Sequence, residues 1–68
     1  MKQKTRDIIL SLASKNGFTF YAPVAQALNV KGRTAENHLK TLVKEGYLIM
    51  RDDGIHAKQF EIPPVPAV

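Results

Sequence analysis

The segment KGRTAENHLKTLVKEG, residues 31–46, decides the fold because its apolar residues recur with the period of a helix. These residues stand at i, i+4, i+7 and i+8 and form one stripe that must face a core: Ala35, Leu39, Leu42 and Val43. Gly46 ends the helix, since glycine tolerates the left-handed conformation that often follows a helix C-terminus. The segment therefore predicts an amphipathic helix over about residues 33–45.

The opposite side of this helix is polar and mostly basic. At about 100° per residue, the side chains that point away from the stripe are Arg33, Asn37, Lys40 and Lys44, with Thr34 and Thr41 beside them. Such side chains can hydrogen-bond base edges and phosphates, so the face suits a DNA groove. Charged outer faces are also common on helices that bind no DNA. The rest of the chain must decide between the two interpretations.

Length and composition limit the chain to one small domain. Sixty-eight residues, 44% of them hydrophobic, can form a single core of marginal stability. Without cysteine there is no disulfide or thiolate metal site, which leaves dimerisation as a way to add stability and fits a reducing cytoplasm. The apolar run at residues 8–10 is too short for a signal peptide or a membrane span. We expect a soluble cytoplasmic protein that does not enter a membrane.

The net charge favours a polyanionic partner. Ten basic and six acidic residues give a formal charge of +4, which is appreciable on so small a surface. Many small proteins are basic without binding nucleic acid, so the charge adds only modest support.

The first half of the chain predicts a helix followed by a short extended segment. Helical spacing over residues 3–15 is kept by Ile8, Ile9, Leu12 and Ala13. The segment 18–20, Phe-Thr-Phe, alternates aromatic and polar side chains. This alternation predicts a very short strand with both rings on one side, in the core.

A second helix and a short link precede the amphipathic helix. Pro23 suits the first residue of a helix over residues 23–28, because no N–H is needed there. Asn29 readily takes a left-handed turn, and Thr34 is a natural cap for the next helix. Val24, Ala25 and Leu28 face inward, and Val30 can fill the corner between the helices. So short a link makes the two helices cross steeply, as in a helix-turn-helix.

The periodicity changes after Gly46. Residues 47–51 and 56–62 have the alternation of strands, and Asp52-Asp53-Gly54 between them predicts a tight hairpin turn. Residues 63–66, Pro-Pro-Val-Pro, end the second strand and begin a proline-rich tail. We therefore expect a domain at residues 1–62 and a tail at residues 63–68.

The order helix, short strand, helix, turn, helix and two-stranded hairpin is that of an α+β winged helix-turn-helix. The run from Ala22 to Leu48 resembles small bacterial winged-helix regulators, and it is most similar to the FaeA-like regulators of fimbrial operons. The residues that carry the likeness are Ala22, Ala25, Ala27, Leu28, Val30, Ala35, Leu39, Leu42 and Lys44-Glu45-Gly46. Most are core positions shared with other winged-helix families, including MarR-like and LexA-like domains.

The resemblance implies a transcription regulator whose third helix enters the major groove. By position, the groove-facing residues would be Arg33, Thr34, Asn37, His38 and Thr41, and the phosphate-facing ones Lys31, Lys40 and Lys44. Asp52 and Asp53 at the tip of the wing repel phosphate. Any contact between the wing and DNA would therefore have to come from beside the turn, from Arg51, His56 or Lys58. The resemblance also implies a protein partner, since fimbrial regulators alter how leucine-responsive regulatory protein engages its sites.

Each predicted contact has an ordinary structural alternative. Arg33 and Asn37 can bind guanine and adenine bidentately, or simply remain in water. His38 lies at the edge of the apolar stripe and suits packing on the hairpin as well as a base contact. Lys40 and Lys44 can neighbour phosphates, pair with Glu36, or stay solvated.

Other chemistry has little support in the sequence. His38 and His56 are far apart and lack further ligands at metal-binding spacing, so we expect no metal. An Asp-Asp-Gly turn is explained by backbone geometry rather than by acid catalysis. No phosphate-binding glycine loop and no nucleophile with a base partner is recognisable, so we expect neither a cofactor nor an enzyme.

Two functions remain. The first is a sequence-specific regulator of transcription that binds double-stranded DNA, alone as a homodimer or beside a larger DNA-binding protein. The second is a winged-helix interaction module that binds another regulator rather than DNA.

Overall fold

The computed structural model describes residues 1–63 and contains three helices and three strands within them. Their order along the chain is α1 (Gln3–Asn16), β1 (Phe18–Thr19), α2 (Tyr21–Leu28), α3 (Gly32–Lys44), β2 (Ile49–Arg51) and β3 (Gln59–Glu61). The strands form one antiparallel sheet in the order β1-β3-β2. The predicted α+β class with three helices is confirmed. Of the predicted tail, residues 64–68 lie outside the described part of the chain.

The core lies between the helices and one face of the sheet. Its buried apolar side chains come from all three helices, from the central strand and from the residue before β2: Ile9, Ala13, Val24, Ala35, Leu39, Leu42, Leu48 and Phe60. The predicted stripe of α3 is confirmed, with Val43 half-buried at its edge. Phe60 pairs across the sheet with Thr19 and with Met50. Directly opposed residues share a face, so these three side chains lie on the same face of the sheet, where Thr19 and Phe60 are buried and Met50 is 42% exposed.

Helix α1 begins at Gln3, as predicted, whereas α2 and α3 begin at residues different from those predicted. Helix α2 starts at Tyr21, so Pro23 lies within its first turn, where a missing N–H is harmless. Helix α3 starts at Gly32, after Lys31 in extended backbone with no side-chain cap. The predicted cap at Thr34 is therefore wrong, because Thr34 already lies inside the helix.

The two predicted left-handed residues are confirmed. Asn29 has φ 56° and ends α2, and the N–H of Val30 donates to the carbonyl oxygen of Ala25 at 3.0 Å. Gly46 has φ 88°, and the N–H of Tyr47 donates to the carbonyl oxygen of Leu42 at 2.9 Å. A left-handed residue here turns the chain out of α3 and satisfies a helix-end carbonyl. Val30 is half-buried against the core, as expected.

The sheet differs from the predicted two-stranded hairpin. Strand β1 pairs with β3 through Phe18 opposite Glu61, which makes three strands. Strands β2 and β3 are shorter than expected, and residues 52–58 form a loop instead of a tight turn. The core position predicted for both phenylalanines is wrong: Thr19 is buried, whereas Phe18 and Phe20 are half-buried on the opposite face.

No helix formed by residues 1–63 combines the length and apolar character needed to cross a membrane.

Candidate nucleic-acid interface

The side of α3 opposite the core is open to solvent along its length. The residues that α3 exposes include every outward-pointing residue named from the sequence: Arg33, Thr34, Asn37, Lys40, Thr41 and Lys44. Lys31, immediately before the helix, is also exposed. This set is called the α3 outer face below. It carries four cationic side chains and no acidic one, because Glu36 lies to the side and is half-buried.

The first turn of α3 is held against α2 by a close contact. A Cβ added to Gly32 would lie 3.0 Å from Cδ2 and 3.2 Å from Cε2 of the Tyr21 ring. Only glycine lets the ring lie so near without displacement. The ring is itself half exposed and meets the Phe20 ring edge-on, with centroids 6.2 Å apart. Arg33 and Thr34 thus follow a helix start that lies close against the Tyr21 ring.

The polar side chains of the α3 outer face differ in how many of their hydrogen-bonding groups already have a partner within the chain. The Thr41 hydroxyl donates to the carbonyl oxygen of Asn37 at 2.9 Å, which leaves its oxygen free to accept but uses its proton. Lys40 Nζ lies 3.9 Å from Glu36 Oε2, an exposed pair that contributes about 0.3–0.5 kcal/mol and can open readily. Arg33 and the Asn37 amide take part in none of the side-chain hydrogen bonds or ion pairs formed within residues 1–63.

His38 is half-buried beside this face. Part of its ring is therefore covered by the protein, which agrees with the boundary position anticipated from the sequence. A base contact by His38 stays a prediction, with less free surface than at Arg33 or Asn37.

The residues predicted to contact DNA from beside the hairpin turn lie on β2 and in the loop at residues 52–58: Arg51, His56 and Lys58. Arg51 lies on β2, where its Nε is 3.1 Å from both carboxylate oxygens of Glu61. Arg51 is opposite Gln59 in the register, so Glu61 is its diagonal neighbour on the same face. Lys58 is half-buried in the loop before β3. Arg51 would have to leave Glu61 before it could contact a phosphate.

The loop at residues 52–58 has a fixed, negatively charged tip. Asp53 Oδ1 accepts hydrogen bonds from the N–H groups of Ile55 and His56, both at 2.9 Å, and Asp53 Oδ2 lies 2.8 Å from His56 Nδ1. The bond from the His56 ring, followed by the backbone bonds from His56 and Ile55, lowers the pKa of Asp53 from 3.8 to about 2. Asp53 is thus ionised at neutral pH, and it repels rather than attracts phosphate.

A contact between Arg6 and Tyr47 was not identified from the sequence. Arg6 Nη1 donates to the Tyr47 hydroxyl at 3.2 Å, and the Arg6 guanidinium carbon lies 5.0 Å from the centre of that ring. The contact joins α1 to the segment after α3. Tyr21 begins α2 and Tyr47 follows α3, but only the fold shows what each ring contacts.

Metal chemistry finds no support in the described residues. Within residues 1–63, no three histidine, cysteine or carboxylate side chains lie close enough together to hold a metal ion. His56 is engaged with Asp53, while His38 belongs to α3.

No protein-family model, curated protein or solved structure shows significant similarity to this chain. The resemblance to FaeA-like regulators thus rests on the quoted residues alone and stays a prediction.

Proposed function

We propose that this chain is a winged-helix regulator of transcription that binds double-stranded DNA with the α3 outer face in the major groove. One observation carries the proposal: this face is exposed and uniformly cationic, while the opposite side of the same helix is buried. A helix that is anchored on one side and rich in Arg, Asn, Thr and Lys on the other matches the chemistry of a groove. The element order of α2, the link at residues 29–31 and α3 matches a helix-turn-helix.

Within this proposal the residues of the α3 outer face divide into two roles. Arg33 and Asn37 read base edges, because they lie one turn apart and their polar atoms have no partner among residues 1–63. Lys31, Lys40 and Lys44 bind phosphates, which positions the helix without reading sequence. Thr34 and Thr41 flank the base-reading pair, and Thr41 acts as an acceptor because its proton is already donated.

The wing plays a smaller part in this proposal than in the sequence prediction. Arg51 is paired with Glu61, and Asp53 keeps a negative charge at the loop tip. We therefore assign the main contacts to α3 and leave two secondary contacts, Lys58 and Arg51, of which Arg51 must first leave Glu61.

Charge reversal on α3 tests the proposal. We expect Arg33→Glu to weaken binding to random-sequence duplex DNA by roughly 10- to 100-fold, since an arginine contact contributes about 1–3 kcal/mol and the new carboxylate adds repulsion. Lys15→Glu is the matched control, because it makes the same change in net charge at an exposed position on α1. Affinity is measured by fluorescence anisotropy, and circular dichroism checks that each variant folds.

Two results would contradict this assignment. Equal weakening by Arg33→Glu and Lys15→Glu would mean that net charge alone governs binding. No binding by the wild-type chain at low salt would remove DNA as the partner. Sequence specificity is tested separately by selecting bound duplexes from a random pool, in which Asn37→Ala should relax the preference at one base position.

The second candidate is a winged-helix module that binds another regulator. The observation favouring it is the loop at residues 52–58, where the ionised Asp53 stands beside Ile55, whose exposed fraction is 83%. An acidic tip with an exposed aliphatic side chain suits a basic, partly apolar protein surface better than DNA. A DNA complex that forms only when the regulator leucine-responsive regulatory protein is added would favour this candidate.

A further inference from the structure

The side chains of the α3 outer face that can select a base lie in the first half of the helix. Arg33 and Asn37 are the second and sixth residues of α3 and are exposed, and neither side chain has a hydrogen-bond or ion-pair partner within residues 1–63. In a helix-turn-helix, the first residues of the recognition helix are those that contact base edges. Thr34 lies beside Arg33, but a hydroxyl both donates and accepts and therefore selects no single base.

The second half of α3 offers less to a base edge. The Thr41 hydroxyl donates its one proton to the carbonyl oxygen of Asn37 at 2.9 Å, so it has no proton left for an acceptor on a base. Lys40 lies 3.9 Å from Glu36, and Lys44 is the last residue of the helix. Base preference is therefore determined by Arg33 and Asn37.

The donors and acceptors of these two side chains match different bases. The guanidinium group of Arg33 carries only donors, and guanine is the base that presents two acceptors, O6 and N7, in the major groove. The amide of Asn37 carries a donor group and an acceptor, and adenine presents the matching pair at N7 and N6. Cytosine presents a donor and thymine a single acceptor, so neither forms two hydrogen bonds with these side chains.

The position of the two residues on α3 sets the spacing of the two bases. Residues four apart on a helix are separated by about 6 Å along its axis and by about 40° around it. Arg33 and Asn37 therefore point to the same side. Stacked base pairs follow one another at about 3.4 Å. A helix lying along the groove thus brings these side chains to bases two steps apart, with one base pair between them.

We propose that α3 selects duplexes in which a G·C pair and an A·T pair are separated by one base pair, with Arg33 bound to the guanine and Asn37 to the adenine. This inference rests on the proposed DNA-binding function and adds to it the identity and the spacing of the bases. Replacing either base pair removes a bidentate contact, so the affinity falls by roughly 5- to 150-fold.

Selection of bound duplexes from a random pool tests the proposal, followed by anisotropy titrations of the enriched duplex and of duplexes with one base pair replaced. Asn37→Ala should lose the preference for the A·T pair and keep that for the G·C pair, and Arg33→Ala should do the reverse. Asn37→Gln should retain the adenine preference, because glutamine presents the same donor and acceptor. Lys40→Ala is the matched control at another exposed position of α3, and it should weaken binding to all duplexes alike.

The possible results separate this inference from the proposed function. DNA binding that shifts the amide signals of α3, without preference for these two pairs at this spacing, would overturn the inference and leave the proposed function standing. A loss of base preference in Lys40→Ala equal to that in Asn37→Ala would also overturn the inference. No binding to any duplex would overturn both. Circular dichroism checks the fold of each variant, and alanine at an exposed helical position favours the helix.

Discussion

Two side-chain contacts shape the start of α3 and the loop at residues 52–58. The Tyr21 ring against Gly32 locates the start of α3, and the Asp53 carboxylate shapes the loop at residues 52–58. Neither contact follows from hydrophobic periodicity, because each depends on residues that the sequence pattern treats as turn or surface positions. Both can be tested one residue at a time.

A double-mutant cycle tests the contact between Tyr21 and Gly32. A methyl group at position 32 crowds the Tyr21 ring at 3.0 Å. The change in the free energy of unfolding caused by Gly32→Ala should therefore be more destabilising in the wild-type chain than in a Tyr21→Ala background. We expect a coupling free energy of about 0.5–1 kcal/mol, measured by urea denaturation. Additive effects of the two substitutions would show that ring and helix start are not in contact.

The ionisation of Asp53 predicts how the loop responds to acid. Folding lowers the pKa of this carboxyl from 3.8 to about 2, chiefly through the hydrogen bond from the His56 ring. The stabilisation is therefore complete above the unfolded pKa and is lost as the pH falls through the folded pKa. An NMR titration should show the His56 amide shifting with a midpoint near pH 2. A midpoint at the unperturbed value of 3.8 would mean that the hydrogen bonds do not form.

At the level of elements, helices were predictable and the ends of strands were not. The stripe Ala35, Leu39 and Leu42 repeats over several turns, and the fold confirms it. A strand as short as Phe18–Thr19 shows only which side chains share a face, not which face is inward, so the phenylalanines were misplaced. Similarly, the pairing of Arg51 with Glu61 depends on strand register, which no local pattern determines.

The amphipathic helix predicts unequal effects of neighbouring substitutions. Leu39 is completely buried, so Leu39→Ala should lower the free energy of unfolding by about 2–5 kcal/mol. Lys44→Ala, at an exposed position on the same helix, should change it by less than about 0.5 kcal/mol. Urea denaturation followed by circular dichroism measures both. Similar losses in the two variants would show that the buried and exposed sides of α3 are assigned wrongly.

At the level of the whole molecule, charge is distributed unequally between surfaces. The α3 outer face is cationic, Arg51 and Glu61 on the sheet neutralise each other, and the loop near Asp53 is acidic. The sequence predicted the first of these, because helical spacing identifies the residues that point outward. It also predicted the acidic tip at Asp52 and Asp53, but not the pairing of Arg51 with Glu61, which depends on the register between β2 and β3.

This distribution predicts a definite salt dependence for DNA binding. The three lysines of the α3 outer face that are assigned to phosphates can release three counterions, which gives a slope of about −2.7 in log–log form. Affinity should then fall by about 40-fold between about 50 and 200 mM salt. Lys40→Ala should make the slope shallower by about one unit, as measured by anisotropy titrations at several salt concentrations. An affinity that does not vary with salt would be inconsistent with phosphate contacts.

The most direct test of the central claim is an amide NMR titration of the isotope-labelled chain with a short DNA duplex. The α3 outer face is proposed as the DNA-binding surface, so the largest shift changes should fall on residues 31–44, with little change at Ile49, Glu61 or Phe18. Changes confined to the three strands or to the loop at residues 52–58, with α3 unaffected, would contradict the claim.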